Sequence, residues 1–259
     1  MGLRVTVLGS GSAGNLTLVE GSRGRIVIEM GLSERESSRR LRACGVEPNT
    51  LDAVFVSHEH SDHVRGAPLF SRKHGVPIYA TSATARAAGL IRGELGGLME
   101  VEPGSRIDAA GMEVSLFPVP HDAVETVGYV VRDGASSLGY ATDLGHPSAL
   151  AMERLRGCEI LVVEANHDVG MLRAGSYPAH VKQRVLGRHG HLSNEQAAEM
   201  LREVVTPSTR SIFLAHLSEK NNDGRLAAAA GRRALRDRGR DDVRLELTWQ
   251  ARASAPAEA

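Results

Sequence analysis

A chain of 259 residues with 42% hydrophobic and 24% charged side chains can bury the core of one large domain or two small ones, which excludes a disordered polymer. Its 31 basic and 31 acidic side chains cancel, so no global field draws it to nucleic acid, and no apolar run approaches the ~20 residues of a membrane span. The opening MGLRVTVLGSG lacks an apolar signal region, and Cys44 and Cys158 are too few for a disulfide framework, so a soluble cytoplasmic protein without a membrane partner is expected.

Alternating apolar residues predict strands over 3–8, 15–19 and 25–29, with a Gly/Ser turn between the first two. The Arg-rich stretch 34–43 reads as a surface helix, and 53–57 as a short apolar strand. Further helices are expected over 68–74, 81–90, 148–155, 195–204 and 225–237. Further strands are expected over 78–80, 112–117, 127–132, 138–141, 160–163 and 212–215. Strands that come in runs early and alternate with helices later predict a layered α/β domain. No internal repeat is visible. Residues 170–191 have no clear period and read as a long functional loop, while 250–259 reads as a disordered tail beyond a single domain over 1–249.

Two motifs near the start mislead. Gly9, Gly11 and Gly14 fit a dinucleotide fingerprint, but that fingerprint requires a helix aimed at a pyrophosphate, and residues 15–19 alternate as a strand. Gly2 with Thr6 fits an acylation pattern, but Gly2 leads directly into a core strand.

The informative excess is 11 histidines, concentrated in His58-Glu59-His60-Ser61-Asp62-His63. Neutral imidazole and carboxylate are the usual ligands of Zn²⁺ and similar ions. His58 and His60 can converge on one ion, and Asp62 and His63, from the next turn, on a second. Four residues cannot fill two coordination spheres, so further ligands are expected where strands end. His121, Asp143 and His216 each follow a predicted strand.

With these residues in place, the sequence resembles the metallo-β-lactamase fold superfamily, whose signature loop VFVSHEHSDHVRG matches. Within it, GSGSAGN at 9–15, EANHD at 164–168, SYPAHVKQRVLGRHGHLSN at 176–194 and LAHLSEKNN at 214–222 resemble the YycJ/WalJ group of bacterial hydrolases. One departure is Glu29, where the superfamily usually has Asp; no role is assigned to it. The resemblance implies a four-layer αβ/βα sandwich with a dinuclear metal site at one edge, holding two divalent ions, zinc or manganese. It implies that His58, His60 and His121 hold one ion and Asp62, His63 and His216 the other, with Asp143 bridging. A metal-bridging hydroxide would then be the nucleophile, and Asp62 would help orient it.

A second constellation serves the leaving group. His191 lies in GHLSNEQAA, which is similar to the histidine motif of the phosphodiesterase branch, where a histidine oriented by a glutamate acts as general acid. Glu164 matches that glutamate. A carboxylate-paired imidazolium near neutral pH suits protonation of an alkoxide. Ser193 and Gln196 read as a capping box that starts the following helix. Ser10, Ser12 and Asn15 are candidate phosphate contacts in a Gly-rich turn, and Asn166 and His167 are candidates to line the cleft. Lys182, Arg184 and Arg188 form a basic run that is a candidate for nucleic-acid contact.

The expected function is therefore a metal-dependent phosphodiesterase acting on nucleic acid: a 5′→3′ DNA exonuclease linked to DNA repair. The alternative on the same metals is hydrolysis of a small ester, thioester or lactone, since one scaffold hosts many chemistries. A non-catalytic metal-bound recruitment module is a third reading, disfavoured by the complete ligand set. The chain has no room for a β-CASP insertion and no Gly/Pro-rich arm, so transfer RNA is not the expected substrate.

Overall fold

The computed structural model describes residues 2–259. Its first half runs β1 (Arg4–Gly9), β2 (Leu16–Glu20), β3 (Arg25–Ile28), α1 (Glu34–Ala43), β4 (Ala53–Phe55), α2 (Ser61–Val64), α3 (Ala67–His74), β5 (Ile78–Thr81), α4 (Ser82–Ala87) and β6 (Leu98–Val101). The second half opens with β7 (Arg106–Ala109), β8 (Met112–Pro118), β9 (Val127–Asp133), β10 (Ser136–Ala141), α5 (Ala149–Leu155) and β11 (Ile160–Glu164). It closes with α6 (Val169–Ala174), α7 (Ala179–Leu186), α8 (Asn194–Val204), β12 (Ser211–Ala215), α9 (Gly224–Asp237), β13 (Arg244–Leu247) and β14 (Ala257–Glu258).

Two seven-stranded sheets result, ordered β14-β1-β2-β3-β4-β5-β6 and β13-β12-β11-β10-β9-β8-β7. Each is antiparallel on one side and parallel on the other, the change falling at β3 and at β10. The period-2 pattern explains the layering. Val5, Val7, Ile26 and Ile28 of one sheet meet Leu138, Tyr140, Val162 and Phe213 of the other in a central core. The intervening residues face outward: Val27 and Val54 pack under α1 and α3 with Leu41 and Phe70, while Leu161, Val163 and Leu214 pack with Leu201 of α8 and Leu235 of α9. Strands such as β11, buried on both faces, therefore read as continuous apolar runs. Helix, sheet, sheet, helix is the order of layers expected from the resemblance. The capping box of Ser193 and Gln196 opens α8.

Two expectations are corrected. Residues 250–259 are not a disordered tail: β14 pairs with β1, setting Val5 opposite Ala257, and Ser254 N–H donates to Val7 O (2.8 Å). Without this segment β1 would present an open sheet edge. Residues 170–191 are not a structureless loop but contain α6 and α7, two short helices whose few buried residues leave no amphipathic period to detect. The short, half-exposed strands β6, β7 and β13 also escape the alternation test. Both cysteines are free, and among the described residues no helix is long and apolar enough to cross a membrane.

Candidate active site

The topology brings the candidate ligands to one edge. β8, β10, β11 and β12 run in the same direction, and just beyond or at their carboxyl ends stand His121, Asp143, Glu164 and His216. From the facing sheet, β4 leads into the loop of His58 and His60, and α2 carries Asp62 and His63. That loop docks on a glycine: a Cβ at Gly31 would lie 1.6 Å from the carbonyl oxygen of Asp62. Asn15 N–H also donates to the Asp62 carbonyl (2.8 Å), and the Asn15 amide reaches toward Asp62 Oδ2 (3.4 Å).

The donor atoms converge as ligands of ions would. His58, His60 and His121 offer mutually close atoms; Asp62, His63 and His216 offer a second set, and Asp143 joins His58 and His63. His60 Nδ1 and His121 Nε2 are 3.3 Å apart, as are His216 Nε2 and Asp62 Oδ2; His63 Nε2 lies 3.1 Å from Asp143 Oδ2. The edge of a tetrahedron with ~2.1 Å bonds is about 3.4 Å. One such pair could be an N–H···N bond, but the convergence of three donor atoms in each set is what ligands of an ion require. His58 Nε2 and Asp143 Oδ2 are also buried without a hydrogen-bond partner among the described residues. The residues thus fit divalent metal ions.

In four of the imidazoles the ring nitrogen facing away from the centre has its own neighbour. His58 Nδ1 meets Ser57 Oγ (2.9 Å), His121 Nδ1 donates to Gly190 O (3.1 Å), and His216 Nδ1 donates to Glu164 Oε1 (3.1 Å). His63 Nδ1 lies 3.3 Å from Glu29 Oε2, which gives this glutamate its place: it backs the metal loop and accepts from Ser57 N–H. Such outer partners fix ring orientation and tautomer.

Electrostatics follow from this packing. Burial pushes the Asp143 carboxyl up, but His216 and His63 outweigh it and hold it well below the carboxylate range. Burial likewise opposes ionisation of Asp62, and hydrogen bonds from His216 and His63 overcome it. His63 and His216 are driven above the ordinary imidazole value against burial, chiefly by Asp143. Burial dominates at His58 and His121, which are pushed down.

Behind the centre, Glu164 is fully buried and serves four donors: His191 Nδ1 (2.8 Å), His216 Nδ1 (3.1 Å), and the N–H groups of Leu192 (3.0 Å) and Leu144 (2.9 Å). Burial raises its carboxyl, but His191 and His216 hold it down at about 2. Burial would depress His191, and the Glu164 carboxylate more than reverses this and raises it. With Nδ1 engaged, His191 presents its other nitrogen to the cleft.

That cleft is an open hollow of about 260 Å³ lined by Ser12, His60, Ser61, Asp62, Asp143, Arg184, His191 and His216. A larger hollow, about 660 Å³ around Arg4, Glu20 and Arg25, holds none of these groups. Ser12 stands in the cleft as expected. Asn166 and His167 do not: Asn166 turns inward to donate to His216 O (2.9 Å), and His167 is buried, its imidazole pushed down to about 4 by burial. Both lie in the loop beyond β11, hydrogen-bonded through the backbone to Leu192, Asn194 and Ser218, so their chain proximity to Glu164 does not reach the cleft. Ser10 and Asn15 are buried too, Ser10 Oγ accepting from His216 N–H (2.7 Å). Arg184 is the cleft residue that the basic run only hinted at.

The model of the beta-lactamase superfamily domain matches residues 25–216, spanning both ligand sets. The chain belongs to this superfamily. It is 34% identical over 241 residues to the exodeoxyribonuclease YycJ of Bacillus anthracis, covering 92% of this chain and 91% of that protein. It is 34% identical over 233 residues to the exodeoxyribonuclease WalJ of Streptococcus pneumoniae, covering 88% and 86%. In fold it is similar to the metallo-beta-lactamase fold protein YhfI of Bacillus subtilis, with a TM-score of 0.76 at 17% identity over 100% of this chain and 99% of that one. The superfamily and these relatives make the chain a metal-dependent hydrolase.

Proposed function

We propose that the chain is a metal-dependent phosphodiesterase of nucleic acid, a 5′→3′ DNA exonuclease. The observation that carries the reading is the His191–Glu164 pair, with 2.8 Å between Nδ1 and Oε1, at the wall of the ligand cleft. A thioester expels a thiolate that needs no dedicated imidazolium, whereas a departing sugar alkoxide needs a proton. The exodeoxyribonuclease relatives, similar over nearly their whole length, support the same substrate class.

His58, His60 and His121 would hold one ion and Asp62, His63 and His216 the other, with Asp143 between them. Bound divalent ions supply Lewis acidity: they make a water nucleophilic near neutral pH and take up phosphate charge. Zinc suits the imidazoles and manganese the carboxylates. The chain's own residues do the rest. Asp62 orients the attacking water. Glu164 keeps the proton on His191 Nδ1 and fixes the ring. His191 gives the proton on its other nitrogen to the leaving oxygen. Cytoplasmic DNA repair would use such an exonuclease, and the two free cysteines accord with a reducing compartment.

The test is hydrolysis of 5′-phosphorylated, end-labelled duplex DNA with Mn²⁺ or Zn²⁺, comparing the wild type with Asp62→Ala and His191→Ala. Progressive release from the 5′ end is expected, falling by about 10²–10⁴ in His191→Ala with its metal content unchanged. A wild type that turns over small esters but no DNA under either metal overturns the reading.

A further inference from the structure

The acidic and basic residues of this chain balance overall but not locally. Residues 169–194 hold Arg173, Lys182, Arg184 and Arg188 and not one Asp or Glu. At the chain's average of 31 acids in 259 residues, about three carboxylates would fall in a stretch of that length. The stretch is also exceptional in packing. α7, at its centre, buries none of its residues. A helix that adds nothing to a core is retained for the surface it presents.

It is nevertheless held firmly against the cleft. The Lys182 ammonium donates to Arg173 O (2.7 Å), and His191 N–H donates to Val185 O (3.0 Å). The turn after α7 lies directly on Gly145, two residues past Asp143: a Cβ there would come within 2.2 Å of Arg188 O. Arg184 reaches into the cleft itself, where its guanidinium pairs with Asp122, the neighbour of His121. None of the other three cations pairs with a carboxylate among the described residues. A cleft of about 260 Å³ holds little more than the phosphate being cleaved and its sugar, so the rest of a strand must run along a wall. α7 is the cationic wall.

We propose that α7 and the turn after it form a phosphate-binding arm for the nucleic-acid strand. Arg184, exchanging Asp122 for phosphate, contacts the nucleotide beside the scissile one, and Lys182 and Arg188 hold the backbone further along. The inference rests on the nucleic-acid reading above and adds to it the face by which the strand is held. Guanidinium and ammonium groups neutralise phosphates without reading bases, so the arm grips any sequence.

The experiment measures binding of fluorescent 5′-phosphorylated single-stranded DNA to the metal-loaded protein at 0.05–0.3 M salt, in the His191→Ala background to slow turnover. Lys182→Ala/Arg188→Ala is compared with Arg232→Ala/Arg236→Ala, which removes the same charge from exposed positions of α9. Each single-strand phosphate contact contributes about 0.7 to the slope of log affinity against log salt, so loss of two lowers it by about 1.4 and weakens binding about 25-fold at 0.1 M. The α9 pair should stay within about twofold. Unchanged melting temperature and metal content establish that each variant is folded. Equal weakening in both pairs, or in neither, overturns the arm while leaving the exonuclease reading intact if the wild type cleaves DNA. A wild type that neither binds nor cleaves DNA overturns both.

Discussion

Glu164→Gln tests the proton-donor role at the atom on which it depends. The change is isosteric, and the carboxylate has two distinct halves. Oε2 accepts from the backbone N–H groups of Leu144 (2.9 Å) and Leu192 (3.0 Å), while Oε1 faces Nδ1 of His191 (2.8 Å) and of His216 (3.1 Å). A glutamine keeps its oxygen on the two backbone donors, so the chain path holds. Its NH₂ then meets two imidazole nitrogens that both need an acceptor. His191, raised above its ordinary value chiefly by Glu164 against burial, loses that support and its pKa falls. The sign follows directly: the protonated donor exists below its pKa, so the wild type stays active beyond the ordinary imidazole range. In Glu164→Gln the alkaline limb of kcat moves to lower pH. At pH 8 the expected loss in kcat on DNA is about 10²–10⁴. Metal affinity should also fall about 10–100-fold, because His216 loses its outer partner, so the assay runs at saturating metal. His191→Ala, measured alongside, removes the donor without touching His216. A pH profile for Glu164→Gln that coincides with the wild type at saturating metal would refute the reasoning.

Two further outcomes concern the scaffold. Gly31→Ala drives a Cβ to within 1.6 Å of the Asp62 carbonyl, which is backbone and must move, so a loss of about 1–3 kcal/mol and weaker metal binding are expected from chemical denaturation and metal titration. A variant with unchanged stability and metal affinity would mean that the metal loop does not depend on this contact. Glu34, a buried side chain held at about 2 by Lys73, with help from His74 and Ser38, contributes stability that is present above its ordinary 4.5 and lost as pH falls toward 2. Because Lys73 is 57% exposed and its charge is screened, Glu34→Gln should cost only about 1–2 kcal/mol at pH 7, with the two proteins converging near pH 2. A gap that persists at pH 2 would assign the effect to packing.

What the sequence made legible follows from how local each signal is. The metal loop is written within six residues, and its partners His121, Asp143 and His216 each stand just past an apolar run, because β8, β10 and β12 are buried strands that end at one edge. Ser193 and Gln196 satisfy each other three residues apart, so the start of α8 was legible too. The misreadings have the opposite character. Asn166 and His167 are polar, close to Glu164 in the chain, and nonetheless buried, because the loop beyond β11 is covered by the segments around Leu192 to Asn194 and Ser218, to which its backbone bonds. Residues 250–259 carry no period, and their order comes from the open edge of β1 and from bonds to distant residues such as Arg40 and Arg244. The place of Glu29 was hidden as well, since its contact with His63 spans distant parts of the chain.

Backbone conformation carries a signal that sequence does not. Among the described residues four non-glycine positions have positive φ, and three of them are Glu29 (64°), Asp143 (57°) and His216 (55°), all at the candidate metal centre. Each comes one or two residues after a strand: β3, β10 and β12. A left-handed residue costs about 1–2 kcal/mol outside glycine, so three in one place are retained against a penalty. The geometry explains why. A residue that continued the pleat would keep its side chain on one sheet face, within the apolar core or under the helices. The left-handed turn instead leads the chain off the sheet and swings the carboxylate or imidazole toward the edge where both sheets end. The surrounding hydrogen bonds then hold the conformation: Ser10 Oγ accepts from His216 N–H, and Glu29 N–H donates to Phe55 O (2.8 Å). The two outer cores are continuous and apolar beneath these positions, so the penalty is borne by a rigid frame rather than by a loop that could relax. Rigidity has a chemical use here. Imidazoles and carboxylates at 3.1–3.4 Å would close into hydrogen-bonded pairs when free to move, and a rigid frame that fixes their spacing keeps their lone pairs open for ions.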